Sequence, residues 1–237
     1  MHLLIPAAGM GKRMGGDRNK LRLRLLEKPI LAWTLLAAES ASAIRWIGLI
    51  GQPTDWPLWE SLLEELGLSK PVVLIQGGAT RQESVYNGLQ ALPPEAKQVL
   101  IHDGARALAT PDLLDRCAAA LDTYAGFVAA VPVKDTIKVV DAQRQICSTP
   151  DRAQLWAAQT PQGFDVEKLK ACHEEGRRRG WEVTDDAALF EKFDLPVHIL
   201  PGEETNLKIT TPEDLAIATL ILRQRLASLD AGLYSEA

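Results

Sequence analysis

Short, nearly continuous apolar runs alternate with longer amphipathic stretches along most of this chain, and few architectures accept that alternation. The runs cover residues 2–5, 46–50, 71–75, 99–102 and 127–132, and amphipathic patterns over 30–40, 56–66, 84–92 and 111–123 fall between them. A strand that is apolar on both faces must be covered on both faces, so the pattern predicts an α/β fold: a mostly parallel sheet with helices on either side. The helix expected at 111–123 opens on Thr110-Pro111-Asp112, a capping residue with proline in the first turn. At 237 residues the chain suffices for one sizeable domain, taken here as 1–237.

The alternation stops after Pro132. Residues 136–140 and 145–148 flank the polar turn Asp141-Ala-Gln-Arg144, which reads as a β-hairpin. Two placements fit the pattern, an arm at about 136–155 that pairs with a second chain, or a hairpin folded back on its own domain. Helical patterns resume over 166–175, 185–192 and 212–225, and the tail after Arg225 is expected to fray.

Ligands in such sheets bind beyond the carboxyl ends of the strands. The segments 7–13, 77–81 and 103–106 all follow an apolar run. The first belongs to Ile5-Pro-Ala-Ala-Gly-Met-Gly-Lys-Arg-Met14, with Lys20 further on. Small residues let backbone N–H groups approach phosphate oxygens, and Lys12, Arg13 and Lys20 supply opposing charge. The spacing matches neither a Walker A loop nor a dinucleotide fingerprint. In Gly77-Gly-Ala-Thr-Arg-Gln-Glu-Ser84, glycine admits a base or ribose edge and Ser84 offers a hydroxyl at the expected helix start. Asp103 is placed to hold a divalent cation that bridges phosphates, and Mg²⁺ is the hard-cation choice; otherwise it pairs with Arg106 to brace a loop. His102 is expected to be a partly buried packing residue. Lys208 is read either as a surface lysine or as a phosphate contact near the helix opened by Thr211-Pro212-Glu-Asp214. Thr184 reads equally as a plain helix cap.

A net charge of −5 argues against broad nucleic-acid or membrane affinity, so any phosphate site must be a local focus of lysine and arginine. Cys117, Cys147 and Cys172 are widely spaced and form no metal-binding pattern. Free thiols and an opening segment unlike a signal peptide lead us to expect a cytoplasmic protein, or one from an organelle stroma.

Taken together, Pro6-Ala-Ala-Gly-Met-Gly-Lys-Arg-Met14, Gly77-Gly-Ala-Thr-Arg-Gln-Glu-Ser-Val85, His102-Asp-Gly-Ala-Arg106, Asp135-Thr-Ile-Lys138, Gln159-Thr-Pro-Gln162, Thr184-Asp-Asp186 and Asn206-Leu-Lys-Ile-Thr-Thr-Pro-Glu-Asp214 resemble the 2-C-methyl-D-erythritol 4-phosphate cytidylyltransferases of non-mevalonate isoprenoid biosynthesis. The similarity is collinear from Pro6 to about Ala218. It implies a Rossmann-like nucleotidyltransferase, a homodimer that exchanges its β-arms, and a Mg²⁺-dependent reaction of CTP with methylerythritol phosphate. By position, Ala7, Ala8, Gly9, Gly77 and Ser84 would hold the cytidine, and the catalytic Arg13 and Lys20 the triphosphate and its transition state. Asp103 would lie near the metal and the sugar hydroxyls. Arg106, Thr160, Thr184 and the catalytic Lys208 would take the second substrate, joined by Thr136 and Arg152 from the arm.

The chemistry suits these residue types. A phosphate nucleophile is already an anion at neutral pH, so attack on the α-phosphorus needs positioning and charge neutralisation rather than a general base. Backbone carbonyls near Ala7 and Gly77 are expected to read the cytosine amino group. Two departures stand out: Asn19-Lys-Leu-Arg22 replaces the usual Pro-Lys-Gln-Tyr, and Asp103-Gly-Ala-Arg-Ala107 replaces Asp-Ala-Ala-Arg-Pro. Each lost proline predicts a looser chain, between Met14 and Lys20 and beyond Arg106. The rival readings are a cytidylyltransferase for another polyol phosphate such as ribitol 5-phosphate, and a nucleotide sensor without turnover.

Overall fold

Leu3 and Ile5 pack into one hydrophobic core while Leu4, between them, packs into another. Successive side chains of a strand point to opposite faces, so this split is the signature of a strand buried on both sides. The computed structural model describes residues 1–9 and 19–233. Its strands are β1 (His2–Pro6), β2 (Arg24–Leu25), β3 (Lys28–Pro29), β4 (Trp46–Gly51), β5 (Val72–Gln76), β6 (Gln98–Ile101), β7 (Gly126–Pro132), β8 (Val139–Val140), β9 (Ile146–Ser148), β10 (Trp156–Asp165) and β11 (His198–Pro201). The helices are α1 (Ile30–Ser40), α2 (Trp56–Leu66), α3 (Arg81–Gln90), α4 (Pro111–Ala120), α5 (Val166–Arg178), α6 (Ala187–Glu191) and α7 (Pro212–Leu233).

Seven strands form the central sheet in the order β11-β7-β10-β6-β1-β4-β5. All neighbours pair in parallel except β10, which runs antiparallel to both β6 and β7. One core gathers residues of α1, α2, α4 and α7, and the other those of α3, α5 and α6, so the helices occupy opposite faces. Phe164 and Phe190 fix the second layer, with ring centroids 4.9 Å apart; truncating either to alanine should cost about 3–5 kcal/mol.

Local chemistry explains the element boundaries. Both α1 and α2 span the expected residues, and α2 stops at Gly67, whose φ of +57° suits a residue without Cβ. By contrast, α3 begins at Arg81 rather than at Ser84, because Thr80 caps it by accepting from the Glu83 N–H at 3.0 Å. Its neighbour α4 ends at Ala120, short of 123, in a turn closed by Tyr124 N–H to Ala120 O. Instead of fraying after Arg225, α7 continues to Leu233. Arg225 itself is pinned, donating to Leu108 O at 2.7 Å and to Thr205 Oγ1 at 2.6 Å.

The sheet contains two strands that the apolar pattern did not announce. The first, β10, reads Trp-Ala-Ala-Gln-Thr-Pro-Gln-Gly-Phe-Asp, a polar stretch with an internal proline, yet it lies inside the sheet between β7 and β6. Its pairing with β7 shifts register between Ala158 and Gln162, and this irregularity absorbs the proline. The second, β11, is a four-residue edge strand. The expected hairpin is present as the separate ribbon β8–β9, paired Val139 to Ser148 and Val140 to Ile146. Asp141 Oδ1 ties its turn by accepting from the N–H groups of Gln143 and Gln145.

Candidate active site

The chain runs from β1 outward to β4 and β5, then returns to lay β6 on the other side of β1. Strand order reverses there, and the loops after β1 and β6 diverge to open a crevice. A cleft of about 550 Å³ occupies that place. Its walls come from the β1 exit (Ala7, Ala8, Gly9), the turn carrying Lys20 and Leu21, the approach to α3 (Gly78 to Arg81), the β6 exit (Asp103, Gly104) and the segment before α7 (Lys208, Thr210).

Charge in the cleft is organised around Asp103. Lys208 Nζ lies 2.7 Å from its Oδ2, and Arg81 Nε lies 3.5 Å from its Oδ1. Burial alone would raise the Asp103 pKa, but Arg81, Lys208 and Arg106 hold it well below the usual carboxylate range. Arg81 continues inward, where its Nη1 donates to Asp186 Oδ2 at 2.7 Å, and Asp186 Oδ1 meets His173 Nε2 at 3.1 Å. Asp186 and His173 are both fully buried. Burial opposes the charge of Asp186 as well, and Arg81 and His173 overcome it, so its pKa is lowered. For Arg81, the two carboxylates outweigh desolvation and raise the pKa further. Lys208 therefore stands at the cleft end of a chain of charges rooted in the core.

His102 is fully buried, not partly so as expected, and desolvation, with Arg106 beside it, pushes its pKa down to about 4. A carbonyl can only accept, so the Nε2 contact of 3.4 Å to Arg106 O assigns the ring proton to Nε2. Nδ1 then accepts from the Thr160 hydroxyl at 3.1 Å, and that hydroxyl accepts the Asp103 N–H at 3.0 Å. This neutral imidazole buttresses the Asp103 backbone and is not exposed as a base.

The structure brings Ala7, Ala8, Gly9, Lys20, Ser84, Asp103 and Lys208 to one cleft. Gly77 lies just behind the lining, where a Cβ would fall 2.7 Å from that of Ala8, so only glycine allows the loop to approach. The Ser84 hydroxyl is committed locally, donating to Thr80 O and accepting from Gly78 N–H. Thr160 is buried beneath Asp103. Arg106 does not pair with Asp103 by a direct contact; it donates to Asn206 O at 2.6 Å and to Ala158 O at 3.4 Å, bracing β10 against the 206 loop. Thr184 is exposed and caps nothing; Asp185 Oδ1 takes the Ala188 N–H instead. Thr136 and Arg152 are exposed on the arm, away from the cleft lining, with Arg152 donating to Lys134 O. Arg13 lies outside the described residues, as does most of the segment between Met14 and Lys20.

Several further residues were not singled out by sequence reasoning. Arg81 stood in the strand-exit segment 77–81 and in a quoted motif without a role of its own. Asp186 stood in a quoted motif without a role, and His173 carried no signal at all. The Ala7 carbonyl, expected to read the base, already accepts from Asn19 Nδ2 at 2.7 Å. The chain beyond Arg106 is not loosened by Ala107: Ala105, Ala107, Leu108 and Ala109 are buried, and Ile209 N–H bonds Ala105 O.

The sequence pattern of the IspD family, 2-C-methyl-D-erythritol 4-phosphate cytidylyltransferase, matches residues 1–224. A protein of that name from Acaryochloris marina is 78% identical over 226 residues, covering 95% of each chain. One from Nostoc punctiforme is 69% identical over 225 residues, covering 95% of this chain and 99% of that one. The crystal structure of 4-diphosphocytidyl-2C-methyl-D-erythritol synthase from Anaerococcus prevotii superposes with a TM-score of 0.85 at 32% identity, covering 94% of this chain and 97% of that one. The Thermus thermophilus cytidylyltransferase gives a TM-score of 0.75 at 32% identity, over 93% and 98% of the two chains. The chain belongs to the 2-C-methyl-D-erythritol 4-phosphate cytidylyltransferase family.

Proposed function

We propose that this protein joins CTP and 2-C-methyl-D-erythritol 4-phosphate to give 4-diphosphocytidyl-2-C-methyl-D-erythritol and pyrophosphate, a step of isoprenoid biosynthesis. Family membership carries the reaction, and the cleft at the strand-order reversal carries its location. The ribitol 5-phosphate alternative has no comparable support.

In this reading a phosphate oxygen of methylerythritol phosphate forms a bond to the α-phosphorus of CTP. The bond from that phosphorus to the bridging oxygen breaks, and pyrophosphate leaves with the electron pair. No proton need move, which suits a site where His102, buried behind Asp103, has its pKa pushed down to about 4 and is not exposed as a base. The backbone from Ala7 to Gly9 approaches the nucleotide, and Lys20, with Arg13, meets the triphosphate. Lys208, held toward the cleft by Asp103, meets the phosphate of the second substrate. Arg81 fixes Asp103 from behind.

Asp103 offers one hard oxygen donor at the cleft wall, and among the described residues its Oδ1 meets only Arg81, at a long 3.5 Å. That donor fits Mg²⁺, which takes one or two carboxylates and completes its shell with substrate phosphates and water. When bound, the ion offsets negative charge on the phosphates.

We also take the protein as a homodimer in which Thr136 and Arg152 of one arm serve the cleft of the other subunit. Exposed Ile137, Val139, Val140 and Ile146 along the arm, with exposed Trp156 where it rejoins the sheet, support this, since so much apolar surface calls for cover. Three free cysteines support a reducing, cytoplasmic setting. Among the described residues no helix is long and apolar enough to cross a membrane.

Pyrophosphate release from CTP with Mg²⁺ tests the reaction, with methylerythritol phosphate as acceptor, ribitol 5-phosphate as its competitor and UTP as the control nucleotide. Release that requires the first acceptor and CTP is expected. Preference for ribitol phosphate would overturn the substrate assignment.

A further inference from the structure

Asn19 is 4% exposed, and both its amide hydrogens and its side-chain oxygen are engaged in hydrogen bonds. Oδ1 accepts the Leu21 N–H at 3.1 Å and so caps the 3-10 turn Lys20–Arg22. Nδ2 donates one hydrogen to Ala7 O at 2.7 Å and the other to Asp55 Oδ2 at 3.0 Å. The orientation is unambiguous, because a flipped amide would set its oxygen against two acceptors. One side chain thus joins three segments: the nucleotide loop after β1, the turn that carries Lys20, and the 3-10 turn Pro53–Asp55 after β4.

Lys20 is the residue that immediately follows. Its Nζ donates to Ile209 O at 2.7 Å, next to Lys208, and its neighbour Leu21 is buried in the cleft wall. The root of the Lys20 side chain is therefore set by Asn19, and its direction by the Ile209 carbonyl. Proline at position 19 has no donor or acceptor with which to make these bonds.

We propose that Asn19 is a positioning residue: its amide locks the Lys20 turn to the Ala7 carbonyl, and the Asp55 carboxylate holds the amide in register. The proposal rests on reading Lys20 as a charge that meets the triphosphate in the transition state. A charge displaced by about 1 Å can lose on the order of a hundredfold in rate.

The test is steady-state kinetics, with thermal unfolding alongside, on Asn19→Asp, Asn19→Ser, Lys20→Ala and the pair Asn19→Asp/Lys20→Ala. Aspartate keeps the cap to Leu21 but cannot donate to Ala7 O and meets Asp55 with like charge; serine keeps the cap without added charge. Both single variants at position 19 should fold, lose roughly ten- to a hundredfold in kcat and keep a near-normal KM for CTP. The double variant should be no slower than Lys20→Ala, since a misplaced group that has been removed can cost nothing more. Full kcat in the Asn19 variants while Lys20→Ala is crippled overturns the proposal and leaves the Lys20 reading intact. Near-normal turnover of Lys20→Ala sinks that reading and the proposal with it. Additive losses in the double variant, or failure of both Asn19 variants to fold, would show that Asn19 acts otherwise than through Lys20.

Discussion

Asp103 meets Lys208 and Arg81 at the cleft, and Asp186 meets Arg81 and His173 in the core, so single carboxylates here govern distant charges. Removing one partner of a buried ion pair leaves an uncompensated charge, so Asp186→Asn should destabilise the fold by about 3–5 kcal/mol, read by urea unfolding at neutral pH. The pH dependence has a defined sign. Because the native Asp186 pKa is lowered, the unfolded chain binds more protons through the carboxylate range. The stabilisation is complete above about pH 4, the ordinary aspartate value, and is lost as pH falls toward the lower native one. Asp186→Asn should therefore show a flatter acid limb than the wild type, and an unchanged limb would place that acid sensitivity elsewhere. At the cleft, Lys20→Ala should lower kcat by roughly a hundredfold or more with circular dichroism unchanged.

At the scale of elements, the arm is the segment whose own environment leaves it least satisfied. Ile146 is 59% exposed on β9, and the ribbon β8–β9 pairs with no strand of the central sheet. Ile146→Asp should convert the proposed dimer to monomer in sedimentation experiments and reduce turnover, because Thr136 and Arg152 would then be withdrawn from the partner's cleft. A variant that remains dimeric and fully active would separate the arm from both roles. The helices were largely legible because their signals are local. Pro111 after Thr110, and the capping box in which Asp214 Oδ2 accepts from Thr211 N–H while Thr211 Oγ1 accepts from Asp214 N–H, mark starts that need no tertiary information. The strand β10 was not legible. Its polar residues are buried only because Asn206, Glu203 and Asp185 stand ready to bond Gln159, Thr160 and Gln162.

For the molecule as a whole, a nucleotide that binds the folded chain alone must stabilise it by mass action, by about 2.7 kcal/mol at a hundred times its dissociation constant. CTP with Mg²⁺ should raise the unfolding temperature and UTP should do so less; equal shifts would remove base selection from this cleft. Burial also pushes the Cys117 thiol up to about 12 and that of Cys172 up to about 11, so both should resist alkylation until the protein unfolds, as mass spectrometry would record. The sequence by itself determined the layered α/β plan, the starts of α1, α2, α4, α5 and α7, the hairpin and the loops that reach the cleft. Each of these follows from periodicity, capping or glycine within a few consecutive residues. Only the tertiary structure decided that Arg81 and His173 share Asp186, that Arg106 braces β10, and that Asn19 binds Ala7 and Asp55. Those partners lie far apart along the chain, and no local pattern states which buried donor a given acceptor will meet once the sheet has closed.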